Sequence, residues 1–253
     1  MTVKPKKYLG QHFLHDKNIA KKIVNLLKPA KTIIEIGAGT GALSKWLYEK
    51  YNDNVLFFDI DKESVSYLIL QLKIPEKQVI CENFLLFDLS HLNSPVHIIG
   101  NFPYNISSQL FFKILDNKDC VYQVVCMIQK EVAERIISKE GSKKYGILSV
   151  LLQTYYDISY HFNVNENVFI PAPKVKSAVI ELIRNKDKLK PFDEEIFRKV
   201  VKTAFNQRRK ILSNSLSSII NKNLIPEEYL NKRPEMLTKD DFIRLSNIVY
   251  QNQ

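Results

Sequence analysis

The ten residues Ile33-Ile34-Glu35-Ile36-Gly37-Ala38-Gly39-Thr40-Gly41-Ala42 restrict the possible folds more than any other stretch of the chain. An apolar run that reads as a buried strand passes through a glycine turn directly into a helical pattern, the signature of a β-α unit in a parallel sheet. Glycine leaves no Cβ between backbone and ligand, so the helix amino end can receive a nucleotide-like group. Three of the chain's seven glycines fall within five positions, more than a bare strand-to-helix turn requires. The turn also satisfies G-x-G-x-x-A, the dinucleotide fingerprint, and so does not separate a dehydrogenase from a methyltransferase.

The same alternation continues along the chain. Helical periodicity covers 16–28, 41–50, 62–72, 105–115, 129–138 and 145–153, with strand-like runs at 32–36, 54–58, 78–82, 96–99, 121–127, 155–162 and 176–184. Asp16 stands as the N-cap of the first helix. Only the loop NVNENVFIPAPKVK separates the last two strands, which predicts an antiparallel pair at one sheet edge. From about residue 185 the pattern changes: KDKLKP (186–191) reads as a linker, and 193–204, 207–220 and 238–250 read as helices of a small bundle. The expected organisation is an α/β domain over 1–184, mostly parallel, followed by an all-helical domain over 185–253.

Composition narrows the setting. No run of about 18 apolar residues exists to span a membrane, and MTVKPKKYLGQHFL lacks the apolar core of a signal peptide, so a cytoplasmic protein is expected. Cys81, Cys120 and Cys126 lack C-x-x-C spacing and lie in apolar runs, which suits small buried side chains better than disulfides or zinc ligands. Lys and Arg outnumber Asp and Glu by 37 to 27, a formal charge of +10. Nucleic acid is the commonest polyanion such a surplus meets in the cytoplasm, and a solvated basic face accounts for the charge equally well.

The strand after the glycine unit ends in VLFFDIDKES, where an acid can accept from ribose hydroxyls. Asp59 is the candidate, whereas Asp61 precedes KESVSYLILQL as an N-cap does. The third strand ends in VICENFLLFDL, and Asn83 there can both accept from an exocyclic amine and donate to a ring nitrogen. The fourth runs from Val96 into Asn101-Phe102-Pro103-Tyr104. Proline holds Phe102 outside the helical region, so the turn is extended and its carbonyls remain available. An amide oxygen and a neighbouring carbonyl make two acceptors for the two hydrogens of an amine, and Tyr104 adds a flat face for a base. The matching group is the N6 amine of adenine, whose lone pair is freed for attack when both hydrogens are held.

GQHFL (10–14), EIGAGTG (35–41), NFPY (101–104), FIPAPKVKSAV (169–179), FNQRRKIL (205–212) and RPEMLTKDDFIRL (233–245) occur in the order found in the KsgA-type rRNA adenine dimethyltransferases, which the chain resembles nearly end to end. The resemblance implies a Rossmann-like methyltransferase sheet, S-adenosylmethionine as donor with S-adenosylhomocysteine as product, and no metal. The implied substrate is a pair of adjacent adenosines near the 3′ end of 16S rRNA in the small ribosomal subunit, each methylated twice at N6 during ribosome biogenesis. By position it implies a donor site of Gln11, His12, Leu14, Gly37, Gly39, Asp59, Asn83 and Asn101. It further implies a catalytic group of Asn101, Phe102, Pro103 and Tyr104, with Phe169 on the other face of the base. His12 stands where Asn is frequent in that family, Asp59 where Glu is frequent, and Asn83 where Asp is usual. A monomer is expected.

Lys4, Lys6 and Lys7 in the basic tail, and Arg208, Arg209 and Lys210 at the start of the 207–220 helix, can contact phosphate, which positions RNA without reading its sequence. Other readings remain. A nicotinamide dehydrogenase explains the glycine turn and Asp59 but neither NFPY nor the basic carboxyl-terminal segment. DNA adenine and protein glutamine methyltransferases also use an Asn-Pro turn, and Erm-type enzymes dimethylate a large-subunit rRNA adenosine; the LGQHFL opening and the F-x-x-R-R-K segment favour the small-subunit branch. An assembly factor that only binds immature subunits needs no chemistry, and one protein can do both.

Overall fold

A computed structural model describes residues 3–92, 95–185 and 191–252. The chain forms two compact units: Met1–Ala133 with Asp157–Arg184, and Glu134–Tyr156 with Asn185–Gln253. Strand-helix alternation alone assigns 134–156 to the first unit, but that excursion packs with the second. Most of the linker read at 186–191 lies outside the described residues.

In the first unit the main strands are β2 (Thr32–Ile36), β3 (Val55–Phe58), β4 (Val79–Ile80), β5 (Val96–Asn101), β6 (Val121–Gln129), β7 (Tyr156–Val164) and β9 (Ser177–Arg184). They form a seven-stranded sheet in the order β4-β3-β2-β5-β6-β9-β7. Neighbours from β4 to β6 are parallel and β9 is antiparallel to β6, and β9 and β7, the two strands expected to pair, are neighbours at one edge of the sheet. Every residue of β2 is buried, as both faces of a parallel sheet are covered by helices. On one face α1 (Lys17–Leu26) contributes Ala20, Ile23 and Val24 to a core with Ile33, Phe57, Ile99 and Val125. Asp16 caps α1 as expected, accepting from Asn18 N at 2.8 Å and Ile19 N at 3.0 Å.

The chain leaves β2 for β3 and β4 on one side and returns to β5 on the other, through α2 (Ser44–Tyr51) and α3 (Lys62–Leu70). The strand order therefore reverses between β2 and β5, and a crevice opens beyond their carboxyl ends. A short pair, β1 (Phe13–Leu14) with β8 (Phe169–Ile170), is antiparallel with Phe13 opposite Ile170 and Leu14 opposite Phe169. Periodicity cannot reveal two-residue strands joined across such a sequence distance. Of the cysteines, Cys126 is buried but Cys81, just past β4, is exposed. The expectation of burial fails there because β4 ends at Ile80, before the apolar run does.

In the second unit, α4 (Ile147–Tyr155), α5 (Glu194–Asn206) and α7 (Lys239–Gln251) pack around Tyr145, Phe197, Phe205 and Phe242. The helix expected over 207–220 is not continuous. Gln207 already leaves helical geometry at φ −115° and ψ 38°, and only Leu212–Ser215 (α6) is helical. Serine and asparagine at 213–215, 217 and 218 compete with helix through their own backbone bonds, and Ser217 Oγ donates to the Asn214 carbonyl at 3.0 Å. Leu212 and Leu216 still reach the core. The run Arg208-Arg209-Lys210 thus follows the end of α5 rather than opening a helix.

β2 and β5 approach so closely that a Cβ on Gly100 would lie 2.4 Å from the Ile36 carbonyl oxygen. Backbone on both sides cannot give way, so Gly100→Ala is expected to destabilise the protein by about 1–3 kcal/mol, read as a lowered urea midpoint at unchanged m. An unaltered midpoint would show that the strand ends are not held this tightly.

Candidate active site

A cavity of about 260 Å³ occupies the crevice at the strand-order reversal. Gln11, His12, Gly37, Gly39, Asp59 and Asn83 line it, as do Asn101, Phe102, Pro103 and Tyr104. Of the residues expected for donor and target binding, Leu14 and Phe169 are outside the lining. Side chains directly opposite in an antiparallel pair share a face, and Leu14 and Phe169 turn theirs into the core, Phe169 being 2% exposed. Phe13, next in the β1 alternation, faces the cavity instead. A contact between Phe169 and a base would require the ring to leave this packing. Ile60, Glu82, Phe84 and Asn105 also line the cavity. Each adjoins or closely follows a residue singled out from sequence, and that adjacency was the available signal.

The glycine turn is held from below. The Gly37 and Ala38 N–H groups donate to the Phe58 carbonyl at 2.9 and 3.2 Å. Asp59 Oδ2 accepts from Gly39 N at 2.7 Å and its Oδ1 from Asp61 N at 2.8 Å. Burial raises the Asp59 carboxyl above its usual range, and these two backbone bonds oppose the rise. Gly37 has φ +72°, and a Cβ there would touch the Asn101 carbonyl oxygen at 3.4 Å. A side chain would therefore be strained and would intrude between the turn and the end of β5.

The Asn101 amide has a determined orientation. Its Nδ2 donates to the His12 carbonyl at 2.9 Å; a carbonyl only accepts, so the opposite flip would set two oxygens against each other. Asn101 Oδ1 is then left as a buried acceptor without a hydrogen-bond partner among the described residues. In the following turn the Pro103 carbonyl accepts from Ile106 N at 3.2 Å and the Tyr104 carbonyl from Ser107 Oγ at 3.2 Å. The Phe102 N–H is spent on the Met127 carbonyl at 3.0 Å. Tyr104 bonds Ser177 through its hydroxyl, and its ring stacks on His12 with centroids 5.4 Å apart and planes 25° apart. His12 Nδ1 carries its hydrogen towards the Pro171 carbonyl at 2.7 Å. Asn83 Oδ1 accepts from Leu85 N at 3.1 Å.

Asp61 caps α3 through Glu63 N at 3.0 Å, as expected, and also anchors the amino-terminal segment. Gln11 Nε2 donates to Asp61 Oδ2 at 3.1 Å, and Lys6 pairs with Asp61 and, at 3.2 Å, with Glu63. Lys6 is thus engaged internally, while Lys4 and Lys7 are exposed. In the second unit Arg208 donates to the Ser142 carbonyl at 3.4 Å and faces Glu235 at 3.5 Å, whereas Arg209 and Lys210 are exposed.

The family model described as ribosomal RNA adenine dimethylase matches residues 2–249. Relatives named ribosomal RNA small subunit methyltransferase A include one from Phocaeicola vulgatus, 49% identical over 98% of this chain and 90% of its own length. Another, from Porphyromonas gingivalis, is 46% identical over 99% of this chain and 100% of its own. Among solved structures, a dimethyladenosine transferase from Plasmodium falciparum superposes with a TM-score of 0.80 at 24% identity, covering 95% of this chain and 98% of that one. The 23S rRNA methyltransferase ErmE gives 0.72 at 21% identity, covering 94% and 100%. At those identities the two structures establish the shared fold.

Beneath the glycine turn lies Glu35, 1% exposed, with Oε2 lacking a hydrogen-bond partner among the described residues. Burial pushes its carboxyl from 4.5 up to about 8; the Ser44 hydroxyl draws it down in part and the charge of Asp59 adds to the rise. The unfolded chain gives up this proton near its ordinary value while the folded chain keeps it. The contribution is therefore complete below about 4.5 and is lost as pH climbs through about 8, by up to about tenfold in the folding constant per pH unit. Glu35→Gln removes the titration, so its unfolding midpoint should rise relative to the parent across that window. A pH-independent difference between the two would contradict a proton held at Glu35.

Proposed function

Because the chain belongs to the ribosomal RNA adenine dimethylase family, we propose that it uses S-adenosylmethionine to dimethylate N6 of two adjacent adenosines near the 3′ end of 16S rRNA. The observation that carries this reading to the residues is the buried Asn101 Oδ1, without a hydrogen-bond partner among the described residues, at a cavity built around a glycine turn. When bound, S-adenosylmethionine supplies an electrophilic methyl group on a sulfonium centre.

The lining suits that donor. Gly37 and Gly39 offer backbone without an intervening Cβ, and Gln11 and His12 close the amino-terminal side. Asp59 keeps lone pairs beyond its two backbone bonds for ribose hydroxyls, directly or through water. Asn83 shares its oxygen with Leu85 N–H, which leaves its amide nitrogen to donate to a purine ring nitrogen.

For the target, Asn101 Oδ1 and the Phe102 carbonyl accept the two hydrogens of the adenine amine. Acceptors fixed in this way favour a tetrahedral nitrogen and localise the lone pair for attack, and the amine proton becomes acidic once the new bond forms. No strong base is called for. Tyr104 offers the base a face, with His12 stacked behind it. Pro103 keeps the turn extended. Positioning supplies most of the rate. Lys4 and Lys7 on the first unit, and Arg209 and Lys210 on the second, are the exposed cations suited to phosphate contact. The reading places the protein in the cytoplasm, acting as a single copy on small ribosomal subunits.

Incubation with isotopically labelled donor and under-methylated small subunits tests the proposal. Label should enter N6,N6-dimethyladenosine at two neighbouring positions of 16S rRNA. Asn101→Ala should slow transfer by about 10²–10³-fold, as loss of a transition-state contact does, with subunit affinity nearly kept. Label in large-subunit RNA, DNA or protein, or an unimpaired Asn101→Ala enzyme, would overturn it.

A further inference from the structure

Leu9 to Phe13 line the cavity, and the segment that begins at Lys6 and leads into them is anchored at two places. At one, Lys6 and Gln11 grip Asp61 and Glu63 beside the end of β3. At the other, His12 receives Asn101 Nδ2, and Gly10 lies so near Asn105 that a Cβ would meet its Oδ1 at 2.7 Å. Between these anchors Lys7–Leu9 makes a single 3-10 turn, closed by Gly10 N donating to the Lys7 carbonyl at 3.0 Å.

Leu9 and Gly10 line the cavity, but Tyr8 does not, and it is 77% exposed. Displaying a tyrosine on an ordered turn forgoes the burial that aromatic rings ordinarily gain on folding. Lys4, Pro5 and Lys7, close to it in the chain, are exposed as well. An exposed ring with two exposed lysines within four residues of it matches a nucleobase and its phosphates.

We propose that Tyr8 is a stacking platform for a nucleobase of the rRNA strand that flanks the target adenosine. The flanking base rests on the Tyr8 ring at the rim while its neighbour enters the cavity towards Asn101. Lys7, next in the chain, holds the phosphate between them. This inference rests on the methyltransferase reading above and adds a substrate contact that the donor and amine sites do not include.

The test uses the full-length protein and under-methylated small subunits. Tyr8→Ala and Tyr8→Leu should each raise KM for subunits by roughly 5- to 150-fold, the range that loss of one base stack produces. Tyr8→Phe should stay near the parent, and kcat and donor Kd should not move. The salt dependence of subunit binding should be unchanged in Tyr8→Ala but shallower in Lys7→Ala. A spectroscopic readout is independent of turnover: in a Trp46→Phe background, which removes the one native tryptophan, the indole introduced by Tyr8→Trp should be quenched on adding subunits. A Tyr8→Leu variant as good as the parent, a weakened donor Kd in Tyr8→Ala, or an unquenched indole would overturn the platform. If the parent protein itself fails to methylate small subunits, the methyltransferase reading fails instead.

Discussion

The hydrogen bond from Asn101 Nδ2 to the His12 carbonyl joins positions 89 residues apart and decides which way the amide oxygen faces. A backbone carbonyl cannot donate, so the amide has one acceptable orientation, with Oδ1 buried and without a hydrogen-bond partner among the described residues. Several features of the first unit converge on this bond. Gly100 lets β5 lie against β2, Gly37 leaves space for the Asn101 backbone, and the β1–β8 pair brings the segment after His12 to the crevice. The Pro171 carbonyl then fixes the His12 ring, and that ring backs Tyr104.

Folding alone gives no reason to leave an acceptor in this state. An unsatisfied buried oxygen costs about 1–3 kcal/mol, and Asn101 Oδ1 is of this kind among the described residues. It lies at the carboxyl end of β5, which neighbours β2 where the sheet order reverses. Apolar packing over the rest of the sheet offsets such local costs, as in sites organised to receive a ligand. Two carboxylates at the crevice are by contrast hydrogen-bonded: Asp59 braces the glycine turn and Asp61 braces the amino-terminal segment. The unsatisfied acceptor at Asn101 stands out against that background.

Much of the first unit was legible in the sequence because parallel strands buried on both faces leave continuous apolar runs; β2 occurs at 32–36, as its pattern predicts. Local chemistry also identified the caps at Asp16 and Asp61. Non-local pairing was less visible. Nothing in GQHFL alone announces that Phe13 and Leu14 pair with Ile170 and Phe169, or that the pleat then sends Leu14 and Phe169 inward and Phe13 to the cavity. The helix over 207–220 was overextended because its leucine spacing survives while serine and asparagine interrupt the backbone ladder. Charge patterning named six phosphate-contact candidates without showing that Lys6 and Arg208 have internal carboxylate partners.

A crystal structure of the protein with S-adenosylhomocysteine and adenosine would show whether the amide grips the target amine. The adenine N6 should lie at about 3 Å, ordinary hydrogen-bond distance, from both Asn101 Oδ1 and the Phe102 carbonyl oxygen, with the base against Tyr104 and the Asn101–His12 bond intact. A purine amine bound elsewhere, or an Asn101 amide turned so that its nitrogen faces the base, would contradict that grip.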